Sequence, residues 1–317
     1  MKETFEHVAI AGAGLVGCGW AVQFALAGSE VTLYDERAET RQSLPSRLHV
    51  MLDDLEKAGL AKNTQDAFSR LRICHTLENA LDGADYVQES VFERVEVKAE
   101  VARRIGALIS SQAIVGSSSS GIPASAFTQD APNRERFLIS HPVNPPHLAP
   151  VVELVPAPWT APDAVPTVRR ALAAIGKVPV EVKREIDGFI LNRLQGALLN
   201  EAWALYEEGY ASIQDIDATV AHGLGLRWAF MGPFETIDLN APGGLADYAE
   251  RLAPLYHGIA LSRTQPRSWS ADLIRRVSEE RRQALPLDGI PARTRWRDRR
   301  LAALVGHLRA QERSDEN

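Results

Sequence analysis

The stretch that most constrains this chain lies at its start: His7-Val8-Ala9-Ile10-Ala11-Gly12-Ala13-Gly14-Leu15-Val16-Gly17. Val8 and Ile10 alternate with alanines, the pattern of a short buried strand. Gly12, Gly14 and Gly17 set out G-x-G-x-x-G, and a helix-like run from Trp20 to Ala27 follows. A second strand, Glu30-Val31-Thr32-Leu33-Tyr34, ends at Asp35. Strand, tight turn, helix, strand and acid is the order of a dinucleotide-binding unit. In such a unit Gly12 permits the sharp turn and Gly14 leaves no side chain to block a pyrophosphate. Gly17 lets helix and strand pack closely, and the helix N-terminus offers free N–H groups to the phosphates. Asp35 stands where a carboxylate accepts hydrogen bonds from the adenosine ribose. Its charge repels a 2′-phosphate, so NAD is expected rather than NADP. The alternative is a glycine-rich turn in an unrelated α/β domain.

Beyond this unit, residues 36 to 70 read as helical. Leu44-Pro45 is a possible helix start, with Leu48, Met51, Leu52 and Leu55 on one face. Strand patterns recur at 72–74, 86–88, 113–116, 136–140, 151–155 and 178–182, with helical patterns at 77–81, 95–110 and 162–176 between them. Strands alternating with helices predict a mostly parallel sheet covered on both faces. Near residue 187 the pattern changes. Asp187-Gly188 opens a helical run, Phe189 to Glu208, and no convincing strand follows. The expectation is a Rossmann-type, doubly wound α/β domain over 1–186 and an all-helical domain over 187–317. The stretch Arg293 to Gln311 carries five arginines before residue 301, and Leu301, Leu304, Val305 and Leu308 on one face. It reads as an amphipathic helix packed on its own domain or on a partner subunit.

Two domains suit 317 residues, of which 45% are hydrophobic and 24% charged. A formal net charge of −6 gives no reason to expect nucleic acid as a partner. Two cysteines, Cys18 and Cys74, argue against a disulfide framework and fit a reducing compartment. Cys18 reads as a small packed residue opening the first helix. No apolar run approaches the roughly 20 residues of a membrane span. The acidic start enters a strand at once, unlike a signal peptide, and the cytoplasm is the expected location.

In an open parallel sheet, ligands bind beyond the carboxyl ends of the strands. Ser117 to Ser120, His141 and Glu93 all follow such ends. Oxidising an alcohol with NAD⁺ requires a base for the hydroxyl proton, and histidine suits that task near neutral pH. Pro142 restricts His141 to extended geometry. Glu153, on the next strand across a proline-rich turn, is suited to hold one ring nitrogen. A serine hydroxyl is suited to hold the substrate oxygen. Each has a plain structural alternative: a loop serine, a structural histidine, an edge-strand glutamate.

Several motifs together resemble the 3-hydroxyacyl-CoA dehydrogenase family. They are the glycine loop, Gln88-Glu89-Ser90 with Glu93 and Lys98, the serine run and His141-Pro142-Val143-Asn144-Pro145-Pro146. Gly188-Phe189-Ile190-Leu191-Asn192-Arg193-Leu194 and Met231-Gly232-Pro233-Phe234-Glu235 complete the set. The likeness spans about residue 6 to beyond 300 and is nearest to the lambda-crystallin branch, whose enzymatic identity is L-gulonate 3-dehydrogenase. By that resemblance His141 is the catalytic base and Glu153 its orienting carboxylate. Ser120 binds the substrate hydroxyl, and Asn192 lies beside substrate and nicotinamide. Leu15, Val16, Asp35, Glu93 and Lys98 contact the cofactor, and the helical domain forms a homodimer.

Two departures from the fatty-acyl enzymes point to a smaller free acid. Pro142-Val143 replaces a phenylalanine-rich segment, and Leu226-Arg227-Trp228-Ala229-Phe230 precedes the Met-Gly-Pro-Phe motif. Arg227 stands in an otherwise apolar stretch, where a guanidinium is costly to desolvate unless it meets an anion such as a substrate carboxylate. The resemblance implies an NAD-dependent dehydrogenase of a small L-3-hydroxy acid, with L-gulonate foremost. The alternatives are a 3-hydroxyacyl-CoA, L-carnitine, or a non-catalytic crystallin-like role.

Overall fold

The computed structural model describes residues 4–265 and 267–315. Its sheet comprises β1 (His7–Ala11), β2 (Glu30–Tyr34), β3 (Leu71–Ile73) and β4 (Tyr86–Glu89). It continues with β5 (Ile114–Ser117), β6 (Phe137–Pro142), β7 (Val151–Pro156) and β8 (Val178–Glu181). The spatial order is β3-β2-β1-β4-β5-β6-β7-β8, so the winding reverses between β1 and β4. All neighbours are parallel except β6 and β7. The connection between those two, residues 143–150, is shorter than the dozen or so residues a parallel crossover needs, so the chain turns back on itself.

The helices of this part are α1 (Leu15–Leu26), α2 (Ala38–Lys57), α3 (Thr64–Ser69), α4 (Leu77–Leu81), α5 (Val95–Leu108), α6 (Ser125–Thr128) and α7 (Ala164–Ala174). Side chains alternate across the sheet. Val8 and Ile10 join Trp20, Phe24, Leu48 and Leu172 in one core, while Ala9 and Ala11 join Val87, Ile105 and Phe189 in the other. Central strands β4, β5 and β6 are buried along their whole length. Helix α2 begins before the expected Leu44-Pro45 start and carries Pro45 inside. Leu44, Leu48, Leu52 and Leu55 are all buried on it. Their burial, worth about 2 kcal/mol each, outweighs the ~3 kcal/mol of an interior proline.

After β8 the described residues form helices only: α8 (Leu191–Glu207), α9 (Ile213–Thr219), α10 (Gly225–Trp228), α11 (Pro233–Asp238), α12 (Gly244–Leu261), α13 (Ala271–Ala284) and α14 (Ile290–Asp315). Helix α8 starts later than the expected Phe189, because Gly188 and Phe189 both take positive φ, 75° and 50°. The chain divides into two compact units. One holds residues up to Leu194 together with those from Thr294 onward, and the other is Gln195–Arg293. The sequence expectation assigned everything after 186 to the helical part. Instead, the end of α14 belongs to the first unit: Ala302 and Val305 are buried, and Ala302 joins the core containing Trp20 and Phe24. Leu301 packs against that core, while Leu304 is exposed.

Candidate active site

The glycine loop connects β1 to α1. Gly12 has φ +96°, and a Cβ there would lie 2.6 Å from the Ser90 carbonyl oxygen. A Cβ on Gly17 would lie 2.0 Å from the Gly12 oxygen, so helix and turn touch as the motif requires. At Gly14, by contrast, a Cβ would meet no protein atom within 4 Å. Packing within the chain therefore does not demand glycine there, whereas close approach of a pyrophosphate does. Beside it, a pocket is lined by Gly12, Gly14, Asp35, Arg37, Ser90 and Phe92, among others, beyond the carboxyl ends of β1, β2 and β4. Asp35 is buried at its edge. One carboxylate oxygen accepts from the Ala13 N–H at 3.0 Å, and the other from the Arg37 N–H at 3.0 Å. The residues present fit a dinucleotide.

Neither Leu15 nor Val16 lines that pocket; Leu15 is exposed and Val16 packs on the core. Glu93 and Lys98 lie elsewhere too, in an ionic cluster at the serine run. The buried Lys98 amine meets Glu89 at 3.1 Å and Glu93 at 3.5 Å. Glu93 accepts from the Ser120 N–H at 2.7 Å, the Ser119 hydroxyl at 2.9 Å and the Gly121 N–H at 3.1 Å. Burial acts to raise the Glu93 pKa, but the Lys98 charge and these donors more than offset it and hold the carboxyl below its ordinary value.

His141 and Glu153 are directly opposed residues of the β6–β7 antiparallel pair. Such residues share a face, and here they meet at 2.7 Å between Nδ1 and Oε2. Both are buried. A carboxylate only accepts, so Nδ1 carries the hydrogen, and in the neutral ring the lone pair lies on Nε2. The second Glu153 oxygen accepts from the N–H groups of Ile190 at 2.8 Å and Leu191 at 2.9 Å, where α8 begins. Burial again acts to raise this carboxyl, but the His141 ring and the two N–H donors outweigh it and lower its pKa. Glu153 therefore stays ionised through the neutral range. Its contribution to stability is present above the ordinary value of 4.5 and is lost as pH falls through the lower native value.

Asn192, in the first turn of α8, donates its side-chain N–H to the Ser120 carbonyl. One hydrogen-bonded chain thus runs from His141 through Glu153, the start of α8 and Asn192 to Ser120 and Glu93, and an ion pair continues it to Lys98. Phe189 abuts the His141 ring at 5.8 Å between centroids. It is fully buried with a left-handed backbone, a costly conformation for an aromatic residue.

Sequence reasoning assigned no role to Glu89 or Gln88, although both lie in a quoted motif. Glu89 holds Lys98, and Gln88 is buried with bonds to Tyr86 Oη, the Ser118 hydroxyl and the Ser140 carbonyl. A polar pair inside a fully buried strand was the available signal. Arg227 departs from expectation. It is exposed on α10, so the desolvation cost inferred from its apolar neighbours does not arise in the single chain.

A dinucleotide cradle with a buried His–Glu pair is the equipment of a nicotinamide-dependent dehydrogenase, and comparisons with known proteins agree. Residues 7–186 match the 3-hydroxyacyl-CoA dehydrogenase NAD-binding domain and 188–276 its C-terminal domain. The chain is 38% identical over 298 residues to a lambda-crystallin homolog of Rattus norvegicus, covering 92% of each. It is 37% identical over 253 residues to an L-carnitine dehydrogenase of Streptomyces griseus, covering 80% of this chain and 75% of the relative. A solved 5-formyl-3-hydroxy-2-methylpyridine 4-carboxylic acid 5-dehydrogenase, described as an NAD⁺-dependent dismutase, superposes with TM-score 0.81 and 29% identity, covering 96% of this chain and 99% of that one. The chain belongs to the 3-hydroxyacyl-CoA dehydrogenase family. It is an NAD-dependent oxidoreductase acting on CH–OH donors.

Proposed function

We propose that this enzyme oxidises the 3-hydroxyl of a small, free L-3-hydroxy acid, L-gulonate foremost, to the 3-keto acid. The observation that carries the chemistry is the buried His141–Glu153 pair, with its free Nε2. Bound NAD⁺ supplies the hydride acceptor. His141 Nε2 takes the hydroxyl proton, and Glu153 stabilises the imidazolium that results. The Ser120 hydroxyl holds the substrate oxygen. Asn192 keeps the Ser120 loop in register with α8 and stands beside the reacting groups. Gly12, Gly14 and Asp35 line the cofactor pocket, the first turn of α1 (Leu15, Val16 and Gly17) offers its backbone N–H groups to the pyrophosphate, and Glu93 and Lys98 stand behind the serine loop. A purely structural role does not need the buried His141–Glu153 pair.

The free-acid reading rests on Arg227 and the apolar residues around it. Its guanidinium is exposed and makes no ion pair among the described residues, so it is available to a substrate carboxylate. Arg227→Met is expected to raise KM for a free acid at least tenfold, since one charge-assisted pair is worth roughly 1.5–3 kcal/mol. Unchanged kinetics would remove the anchor.

The working form is a homodimer built through the helical unit, in a cytoplasmic enzyme. Among the described residues of 195–293 only Ala204, Thr236 and Leu273 are buried. Large apolar groups such as Leu226, Phe230, Phe234 and Leu239 are exposed there. A unit with so little core gains its burial from a partner surface. The location is supported by the free thiols of Cys18 and Cys74 and by finding no described helix long and apolar enough to cross a membrane.

The test is NADH formation with L-gulonate, L-carnitine, L-3-hydroxybutyrate and 3-hydroxybutyryl-CoA. A free acid is expected to exceed the thioester at least tenfold in kcat/KM. Robust turnover of the thioester with none of the free acids overturns the assignment.

A further inference from the structure

Strands buried on both faces normally carry apolar side chains, yet β4 places a phenol and an amide, Tyr86 and Gln88, wholly inside the molecule. The two stand two residues apart and share one face of the strand. Room for them comes from β5. Gly116 pairs with Gln88 in the β4–β5 register and with Leu138 of β6. A Cβ on Gly116 would lie 2.0 Å from Tyr86 Oη and 2.7 Å from Ser140 Cβ. With no side chain in the way, the Gln88 amide crosses β5 and reaches β6. Its hydrogen bonds fix which way the amide points. The Ser140 carbonyl only accepts, so the atom 3.2 Å from it is Nε2. The same Nε2 donates to the Ser118 hydroxyl at 2.8 Å, and Oε1 accepts from Tyr86 Oη at 2.7 Å. The β5–β6 register ends at the pair Ser117–Ile139. Gln88 therefore ties the two strands one residue past that end, at Ser118, which leads to Ser120, and at Ser140, which precedes His141. Ser118 in turn meets the Ser90 hydroxyl at 2.8 Å, and Ser90 lines the dinucleotide pocket.

We propose that Gln88 is a positioning residue for the alcohol oxidation, holding the His141 strand and the serine loop in register with the cofactor pocket. The inference rests on the reading of His141 as the base. Gln88 acts on His141 through the Ser140 backbone and on Ser120 through the Ser118 end of the loop. Tyr86 orients it, because a hydroxyl donor at Oε1 leaves Nε2 facing the two acceptors. An apolar residue at 88 would fill the strand at no polar cost, so the buried amide is spent on register rather than on packing. A misplacement of about 1 Å between reacting groups costs on the order of 10²-fold in rate, and the β5–β6 pairing stops one residue short of both groups that Gln88 holds.

NADH formation with the best-used hydroxy acid, per folded site counted by calorimetric titration with ADP-ribose, tests this. Gln88→Met fills a similar volume without donor or acceptor. It should lower kcat at least tenfold while KM and ADP-ribose affinity stay within about threefold; a kcat within about twofold of wild type overturns the proposal. Gln88→Glu carries the signature. Its ionised carboxylate only accepts and opposes the Ser140 carbonyl, whereas the protonated carboxyl donates one hydrogen and accepts another. Burial raises the pKa of an introduced acid toward the neutral range. The ratio of its kcat to that of wild type should therefore fall at least fivefold from pH 6 to pH 9, while that of Gln88→Met stays flat. A role in packing alone leaves both ratios flat, so a flat ratio for Gln88→Glu overturns the proposal. Tyr86→Phe keeps the ring stacked on Phe5 and removes only the hydroxyl that orients the amide. It should lower kcat about threefold or more, and add nothing to Gln88→Met. An unchanged kcat in Tyr86→Phe overturns the proposal even if the Gln88 variants fail to fold. His141→Ala separates the two possible failures: near-normal turnover of that variant removes the base itself, whereas an enzyme that needs His141 but not Gln88 loses only the positioning role.

Discussion

The two compact units of this chain bury opposite things. The first encloses ionisable groups: Lys98, Glu89, Glu153, His141 and Lys177 are all buried in it. Among its described residues the helical unit buries only Ala204, Thr236 and Leu273, and large groups such as Leu226, Phe230, Phe234 and Leu239 face outward. A large two-faced core makes the first unit a rigid holder in which a carboxylate can be desolvated and still satisfied. The second leaves large apolar groups at its surface, which is what the proposed homodimer would cover.

The contrast can be broken from either side. The largest effect is expected at His141. His141→Ala should lower kcat at least 10²-fold, and Glu153→Gln should lower it about tenfold or more, because the imidazolium loses its anionic partner. ADP-ribose affinity should survive both changes. Near-normal turnover of the His141 variant would assign the base elsewhere.

The helical unit is probed by Phe234→Asp, whose aromatic ring is 74% exposed in the single chain. If that face is covered by a second copy, sedimentation should show self-association weakened by about tenfold or more. A wild type that is already monomeric at micromolar concentration refutes the homodimer.

The smallest effect sharpens the account of buried charge. Lys177 is 6% exposed, donates to the Pro146 and Ala149 carbonyls of the β6–β7 turn, and lies over the Trp20 ring. Burial, aided by the Arg309 charge, pulls its pKa from 10.5 to about 7. Between those values the unfolded chain binds more protons than the native one, so stability rises with pH across that window. Relative to Lys177→Met, the wild-type Tm should climb by a few degrees from pH 7 to 9. A constant difference would show that the lysine keeps its proton when buried.

Much of this was legible in the chain alone. The glycine spacing and Asp35 determined a dinucleotide unit, because a tight turn, a phosphate approach and a ribose acid each need one residue type at one short separation. Alternation of period two determined both faces of β1. His141 and Glu153 stood out as a pair because only a proline-rich turn separates their strands. What the tertiary structure decided is long-range or energetic. Pro45 sits inside a helix because leucine burial outweighs its local cost. The start of α8 was set by two left-handed residues that hydropathy does not register. Glu153 meets two backbone N–H groups distant in sequence, and Lys98 turns from the adenosine pocket to two carboxylates. The end of α14 joins the first core rather than its neighbours in sequence. Local pattern records which face of an element is apolar; only packing decides which other element meets it, since any apolar surface of matching shape satisfies the same free energy.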